Sequence, residues 1–438
     1  MIEALIGFTA LLILLFLRVP IAFSMAIVGA IGFGLMRSWS ATWSMVGNVA
    51  FDTGLSYSLS VVPLFILMGN FLTVSGVSHA LYAGANRLLG NARGGLAMAT
   101  IIACGGFSAV CGSSLATAAT MSKVTMPSMR KYGYSDALST GSIAAGGTLG
   151  ILIPPSIVLI IYGLITESDI SKLFIAGVIP GLLGVVFYIL AIVVVVRMKP
   201  ELAPKSEATE PFTKRDRIGV LAVVGLFLLI MVGIYGGLFT PTEAAAVGAG
   251  ASFLIALFMG GYQPEKLFYA CIESARATAM IFAIVIGADI FSNFVNFAGL
   301  PDALADWVST LTVSPYMVIF GIVLIYLVLG AVLESLSMIL LTVPVFYPLV
   351  TQLDFGTGLL KDPEMILIWF AIIVVVVTEI SLISPPVGMN VFVIRTVLPE
   401  VKLSTIFSGI LPFWVADLLR LTLLVLAPGV TLWLVNLM

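Results

Sequence analysis

Two stretches of this chain place a double proline among hydroxyl-bearing and small residues, inside runs apolar enough to cross a membrane. They are GGTLGILIPP (146–155) and TEISLISPP (378–386). Proline lacks a backbone N–H and clashes with the preceding turn, so Pro154-Pro155 and Pro385-Pro386 each predict a broken helix. A break at membrane depth exposes carbonyl and N–H groups that only a ligand, an ion or another polar group can satisfy. Carbonyl and hydroxyl oxygens are hard ligands suited to Na⁺, and N–H groups at a half-helix N-terminus attract a carboxylate. The first break offers the carbonyls of Gly150 and Ile153; the second offers Thr378, Ser381 and Ser384. Two more stretches share this chemistry. GFSAVCGSSLAT (106–117) brings Ser108, Ser113, Ser114 and Thr117, and GAVLESLS (330–337) brings Gly330, Glu334, Ser335 and Ser337. Two quasi-symmetric sites imply at least two coupling ions, with substrate between the two Gly/Ser tips. Asn390, just past the second break, is a further candidate substrate contact.

Each of these residues also has a plainer reading. Ser and Thr in membrane helices commonly bond back to the i−4 carbonyl or hold helices together, and one proline pair alone would be a kink. Glu334 and Glu379 are open between ion ligand, protonatable group and buried partner of a basic residue. Asp417 and Arg420, three apart on one helix, most simply neutralise each other. Asp289 lies deep in an apolar run with no assigned role, and Cys111 reads as a small packing residue.

The elements that position these groups are membrane helices. The chain has 438 residues, 60% hydrophobic and 10% charged, with a mean hydropathy of +1.17. A soluble domain carries about 25% charged residues, so this chain cannot cover a water-facing surface. It is an all-α polytopic membrane protein, since runs of this length fit helices rather than a barrel. The net charge of −2 says little about partners, and no basic patch suits nucleic acid, so no nucleic-acid partner is expected. The three cysteines, Cys104, Cys111 and Cys271, show no ligand spacing and His79 is the only histidine. A transition-metal centre is therefore not expected, nor is a Ser-His-Asp hydrolase, since His79 follows Gly76 in a loop-like stretch. No cofactor is expected beyond Na⁺ as coupling ion. The opening MIEALIGFTALLILLFL has no basic n-region or small-residue cleavage site and reads as a retained helix.

The polar stretch RMKPELAPKSEATEPFTKRDR (197–217) is a mid-chain linker, and the sequence repeats on either side of it. GNFLTVSGVSHAL (69–81) matches SNFVNFAGLPDAL (292–304), and SSLAT (113–117) matches ESLSM (334–338). The same offset lays Pro127 over Pro348. The double prolines superpose, FIAGVIP (174–180) lies over IFSGILP (406–412), and RVPIAFSMAIVGA (18–30) lies loosely over FTPTEAAAVGAGA (239–251). Five matches in one order mark a duplication, with residues 1–217 as the first repeat and 218–438 as the second.

Lys and Arg in the linker put it in the cytoplasm. Counting outward, Arg87, Arg93, Lys123, Arg130, Lys131, Lys266 and the Arg395–Lys402 connection fall on the same side, while Glu167, Asp169, Asp302, Asp306, Asp354, Asp362 and Glu364 fall outside. Arg37 is the exception. The stretches at about 95–128 and 315–350 read as re-entrant hairpins, because their polar tips suit a buried cluster better than a water-facing loop. The broken helices span about 138–163 and 364–394. Five crossings separate equivalent points of the halves, and an odd number makes the repeats inverted. Inverted repeats with discontinuous helices are the architecture of secondary transporters. A channel would need a continuous pore, and an intramembrane enzyme would need a nucleophile with a base, or metal ligands, within the bilayer.

GFSAVCGSSLATAATM, GTLGILIPPS, GLFTPTEAAAVGA and SPPVGMNVFV, in this order, resemble the large membrane subunit of the tripartite ATP-independent periplasmic (TRAP) transporters, over essentially the whole chain. The resemblance implies a Na⁺-coupled importer of organic acid anions in the bacterial inner membrane. Its mechanism would be of the elevator type, in which a domain carrying the hairpins and broken helices slides against a scaffold. It implies two partners beside the lipid bilayer and the carboxylate substrate: a small four-helix membrane subunit and a periplasmic substrate-binding protein. It also implies a first Na⁺ site at Ser108, Cys111, Gly150, Ile153 and Pro155, and a second at Gly330, Thr378 and Ser384, to which the residues themselves add Glu334 and Ser381. Cys111 stands where a serine is familiar in that family, and Glu334 where an aspartate is. A stand-alone divalent-anion/Na⁺ symporter shares the repeats and hairpins and is the rival reading.

Overall fold

The structure, a computed structural model, describes residues 2–204, 212–311, 313–330, 333–356 and 358–437. Every regular element among these residues is helical. The chain opens with α1 (Ile2–Phe16), α2 (Ile21–Met36), α3 (Trp39–Leu55), α4 (Val61–Ser75) and α5 (Val77–Leu89). A helix pair follows, α6 (Gly95–Cys111) and α7 (Ser114–Lys131), then α8 (Asp136–Thr148), α9 (Ile157–Thr166) and α10 (Ile170–Met198). Beyond the mid-chain stretch come α11 (Lys214–Tyr235), α12 (Pro241–Gly260), α13 (Pro264–Phe297) and α14 (Leu300–Thr310). A second helix pair, α15 (Pro315–Gly330) and α16 (Ser335–Thr351), precedes α17 (Pro363–Ile383), α18 (Met389–Val397), α19 (Leu403–Leu426) and α20 (Pro428–Leu432). Part of the expected linker, residues 205–211, lies outside the described residues.

Seven helices among the described residues are long and apolar enough to cross a membrane, and large apolar side chains such as Phe258, Leu35 and Met198 face outward. With no water to compete for backbone groups in a bilayer, a helical chain satisfies them internally. This is a polytopic membrane protein.

The helices pack in two sets that interleave the halves. In one, α2 lies on α13 and α4 on α12, with α1, α3 and α11 alongside. In the other, α8 lies on α19, and α6, α7, α9, α10 and α15–α18 surround them. Glycines make the closest crossings. A Cβ on Gly409 would lie 1.9 Å from the Ala137 carbonyl oxygen and one on Gly141 2.2 Å from the Gly409 carbonyl oxygen. Small residues let membrane helices approach this closely, which supplies packing where lipid gives no hydrophobic drive.

Both proline pairs interrupt a helix. After α8 the chain makes a short 3₁₀ turn (Leu149–Ile151), passes Pro154-Pro155 and restarts at α9, where the Ser156 hydroxyl accepts from the Leu159 N–H at 3.3 Å. After α17 it passes Pro385-Pro386 and restarts at α18 beyond Gly388. Both Pro-Pro bonds are cis. His79, expected in a loop, instead lies in the first turn of α5, because Gly76 at φ +78° ends α4 and the chain turns directly into the next helix. Its ring stands 3.7 Å from the Asp216 carboxylate across the end of α11.

Candidate functional site

The breaks lie against the turns of the helix pairs. Gly112 turns the first pair at φ +64°, a conformation that favours glycine. Ser113 then caps α7, its hydroxyl accepting from the Ala116 N–H at 3.3 Å. Gly150 of the first break meets this turn: a Cβ there would sit 3.1 Å from the Ser113 carbonyl carbon and 3.2 Å from the Ser114 nitrogen. The Pro155 carbonyl oxygen lies 3.3 Å from the place of a Cβ on Gly112. Ser108 and Thr117, both fully buried, are 3.4 Å apart hydroxyl to hydroxyl. Ser108, Cys111, Gly150 and Pro155 are thus gathered around one turn. The Ile153 side chain packs against Gly181 of α10 and reaches toward Gly105 of α6.

Backbone arithmetic shows which carbonyls the prolines release. A helical carbonyl accepts from the N–H four residues on, so Pro154 and Pro155 remove the donors for Gly150 and Ile151. The Ser156 hydroxyl takes up Ile151, which leaves Gly150 as the carbonyl without its helical donor. In the second break the Ser384 N–H bonds to Ser381 at 3.2 Å, so the corresponding carbonyl is that of Leu382. Nothing in the residue type of Leu382 marks it, because only its backbone carbonyl is concerned.

In the second half the glycine lies on the helix pair. A Cβ on Gly330 would sit 2.3 Å from the Ser381 Cβ. Thr378 donates to the Val374 carbonyl at 2.8 Å and Ser381 to Thr378 at 2.7 Å, so their oxygen lone pairs remain open to a cation. Ser384 is more committed: it donates to Ile380 at 2.6 Å and accepts from the Trp414 indole at 2.8 Å. Glu334 caps α16, accepting from the Ser337 N–H and hydroxyl, each at 3.3 Å.

Between the two turns lies a cavity of about 250 Å³. Ser113 and Ser114 line it from the first turn, Glu334 and Ser335 from the second, and Asn70 of α4 and Glu273 of α13 from the other packing set. The N-termini of α7 and α16 both open onto it. Three residues expected at the substrate do not reach this cavity. Thr117 faces Ser108, and Ser337 is buried against Glu334. Asn390 is wholly buried and donates to the Ala144 carbonyl at 3.1 Å, tying α18 to α8. Asn70 and Glu273 went unassigned in the sequence, although GNFLTVSG carries Asn70 in the repeat and Glu273 with Arg276 interrupts an apolar run. Asn70 donates to Ser274 at 2.8 Å, and Glu273 pairs with Arg276 at 2.6 Å.

Glu379 has a buried basic partner. The Arg420 Nη2 donates to it and also lies 2.9 Å from Asp417, with all three side chains fully buried. Arg420 and Asp417 therefore do more than neutralise each other.

A membrane-spanning bundle with two interrupted helices and a polar cavity between two helical turns has the form of a transporter. The fold is similar to that of the Alcanivorax borkumensis YdaH transporter, with a TM-score of 0.63 over 98% of each chain at 15% identity. The family model described as "Tripartite ATP-independent periplasmic transporter, DctM component" matches residues 8–430. The C4-dicarboxylate TRAP transporter large permease protein DctM of Pseudomonas aeruginosa is 38% identical over 88% of each chain. The isethionate TRAP transporter permease protein DctMQ of Oleidesulfovibrio alaskensis is 30% identical over 98% of this chain and 65% of its own longer one. The chain belongs to the TRAP transporter large permease family, a family of transport proteins and not of enzymes.

Proposed function

We propose that this chain is the membrane transport subunit of a Na⁺-coupled importer of organic acid anions in a bacterial inner membrane. The N-terminus of α7, which opens with Ser113 and Ser114 onto the cavity between the two turns, carries this reading, because such a terminus favours an anion without needing a basic side chain. The halves are inverted repeats, 1–217 and 218–438, and the helix pairs α6–α7 and α15–α16 are re-entrant. The set holding the breaks slides as an elevator against the set of α1–α4 and α11–α13. Asn70 and Glu273 then form the fixed wall of the substrate cavity.

Na⁺ binds at two places. Around the first turn, Gly150 gives its freed carbonyl, with Ser108, Ile153 and Pro155 alongside. Cys111 contributes its carbonyl, since a thiol is a poor ligand for a hard cation. At the second break Thr378 and Ser381 offer hydroxyl oxygens, with the backbone of Gly330, Leu382 and Ser384, and Glu334 adds a carboxylate from the cap of α16. A small four-helix membrane subunit and a periplasmic substrate-binding protein complete the machine, as the tripartite family description supports. The substrate is a carboxylate or kindred organic anion; relatives named for C4-dicarboxylates and for isethionate both support an anionic cargo. Uptake of a carboxylate panel into proteoliposomes, with and without a Na⁺ gradient and the cognate binding protein, tests this. We expect uptake only when both are present. Uptake without Na⁺ sinks the ion sites, and uptake without the binding protein favours the stand-alone symporter.

A further inference from the structure

The fully buried cluster around Arg420 joins the two broken helices, and it is not needed to line either ion site. From Arg420 on α19, Nη2 reaches Glu379 on α17 and lies 2.9 Å from Asp417 Oδ1. The Tyr188 hydroxyl of α10 donates to the other Asp417 oxygen at 2.7 Å, and the Thr148 hydroxyl lies 3.1 Å from that of Tyr188. The Arg420 guanidinium also stands 5.8 Å from the Tyr188 ring centroid. All five side chains have no exposed surface.

The two ends of this chain of contacts fall at telling positions. Glu379 directly follows Thr378 and lies two residues before Ser381, on the last turns of α17. Thr148 is the last residue of α8, two before Gly150. Each end thus lies within two residues of one assigned to an ion site. Room has been made for the guanidinium, since a Cβ on Gly184 would sit 2.1 Å from Arg420 Nη1. The cluster also holds unused bonding capacity: Glu379 Oε1 and Arg420 Nε and Nη1 have no hydrogen-bond partner among the described residues. An Arg–carboxylate pair with spare donors and a spare acceptor has a second, forked arrangement open to it. A buried element with two arrangements is what can carry coupling between distant sites.

We propose that Arg420 is a positioning residue that couples ion occupancy at the second break, through Glu379, to occupancy at the first, through Asp417, Tyr188 and Thr148. This rests on reading the two breaks as Na⁺ sites. Binding of Na⁺ at one break sets the arrangement of the cluster and prepares the other break, so the two ions bind cooperatively.

Titration of the purified complete transporter with radioactive Na⁺ alone tests the idea. The wild type is expected to bind Na⁺ with a Hill coefficient above one. Tyr188→Phe removes the hydroxyl that joins Thr148 to Asp417 but leaves every charge in place. It is expected to keep the same number of ions at saturation, with the Hill coefficient falling to one and half-saturation rising by roughly five-fold, the low end of ordinary site coupling. Thr148→Val cuts the same connection one bond further along and should behave alike, which guards against a folding defect in the first variant. Tyr326→Phe is the control, an equally buried tyrosine bonded to Thr342 at 2.6 Å and outside the cluster. It should match the wild type. A purely structural role would lower the number of sites and leave the Hill coefficient alone. Cooperative binding unchanged in both variants, or non-cooperative binding by the wild type, overturns the coupling while leaving the two ion sites standing. A wild type that binds no Na⁺ overturns both.

Discussion

In the first half the glycine sits on the broken helix and the hydroxyls on the facing turn, with Gly150 against Ser113 and Ser114. In the second half the partners are exchanged, with Gly330 on the helix pair and Ser381 on the broken helix. Both halves need the break and the turn to touch, but either partner can give up its side chain to allow it. The caps of the two turns differ as well. α7 begins at a neutral serine and α16 at the carboxylate of Glu334. A carboxylate already satisfies the N–H groups and dipole of α16, so the end of α7 is the better receptor for an anion. The second half also carries the buried charge. Glu379 lies on its broken helix, whereas the first offers only Thr148 at the corresponding end of the cluster.

These contrasts predict unequal responses to substitution. The largest belongs to the buried charge. Arg420→Leu strands Glu379 and Asp417 without a cation and is expected to cost about 3–5 kcal/mol of stability, as for other broken buried pairs. Thermal unfolding of the purified protein reads it, and a variant as stable as the parent would show that the second break does not depend on this charge. Next come the glycines. Gly330→Ala and Gly150→Ala overpack the two contacts at ~1–3 kcal/mol each. The greater loss of stability and uptake is expected for Gly330, whose added Cβ would meet the Ser381 Cβ at 2.3 Å, against 3.1 Å for the nearest atom to Gly150. The reverse order would mean that the first contact is the tighter one in the working protein.

Ser113→Asp puts a carboxylate cap on α7 as well and so erases the difference between the turns. It should weaken substrate binding by roughly ten-fold, or about 1.4 kcal/mol, with little change in the Na⁺ concentration for half-maximal uptake. Unaltered substrate affinity would remove the end of α7 from the anion site. The smallest effect separates two hydroxyls of the second break. Thr378→Val deletes open lone pairs and should raise half-maximal Na⁺ several-fold, in line with a lost polar contact to a charged group. Ser384→Ala deletes a hydroxyl already held by Ile380 and Trp414 and should change it by less than about two-fold. Equal shifts would place Ser384 on the ion.

The helices and their interruptions were legible in sequence because their causes are local. Proline pairs stop α8 and α17 wherever those segments lie, and the Gly/Ser turns after Cys111 and before Ser335 stand out from apolar surroundings. The residues of the cavity were only half legible. Ser113, Ser114, Glu334 and Ser335 declared themselves by type, but Asn70 and Glu273 reach the cavity from other helices, across 43 positions in the case of Asn70 and Ser113. Asn390 shows the converse: its type and place beside a break suggest substrate, and only packing reveals that its Nδ2 is held by the Ala144 carbonyl.

Hydropathy, proline and motif order need no knowledge of contacts, so they alone establish that the chain lives in a membrane, where its helices break and which family it resembles. Packing in three dimensions settles which glycine faces which turn, which carbonyl stays without a donor once Ser156 has taken its share, and which basic residue Glu379 meets. Glu379 and Arg420 are 41 residues apart in the chain, yet their side chains share one fully buried bond. The physical reason is that a charge inside a membrane protein must find its partner by packing of whole helices, and no local pattern records which helix that is.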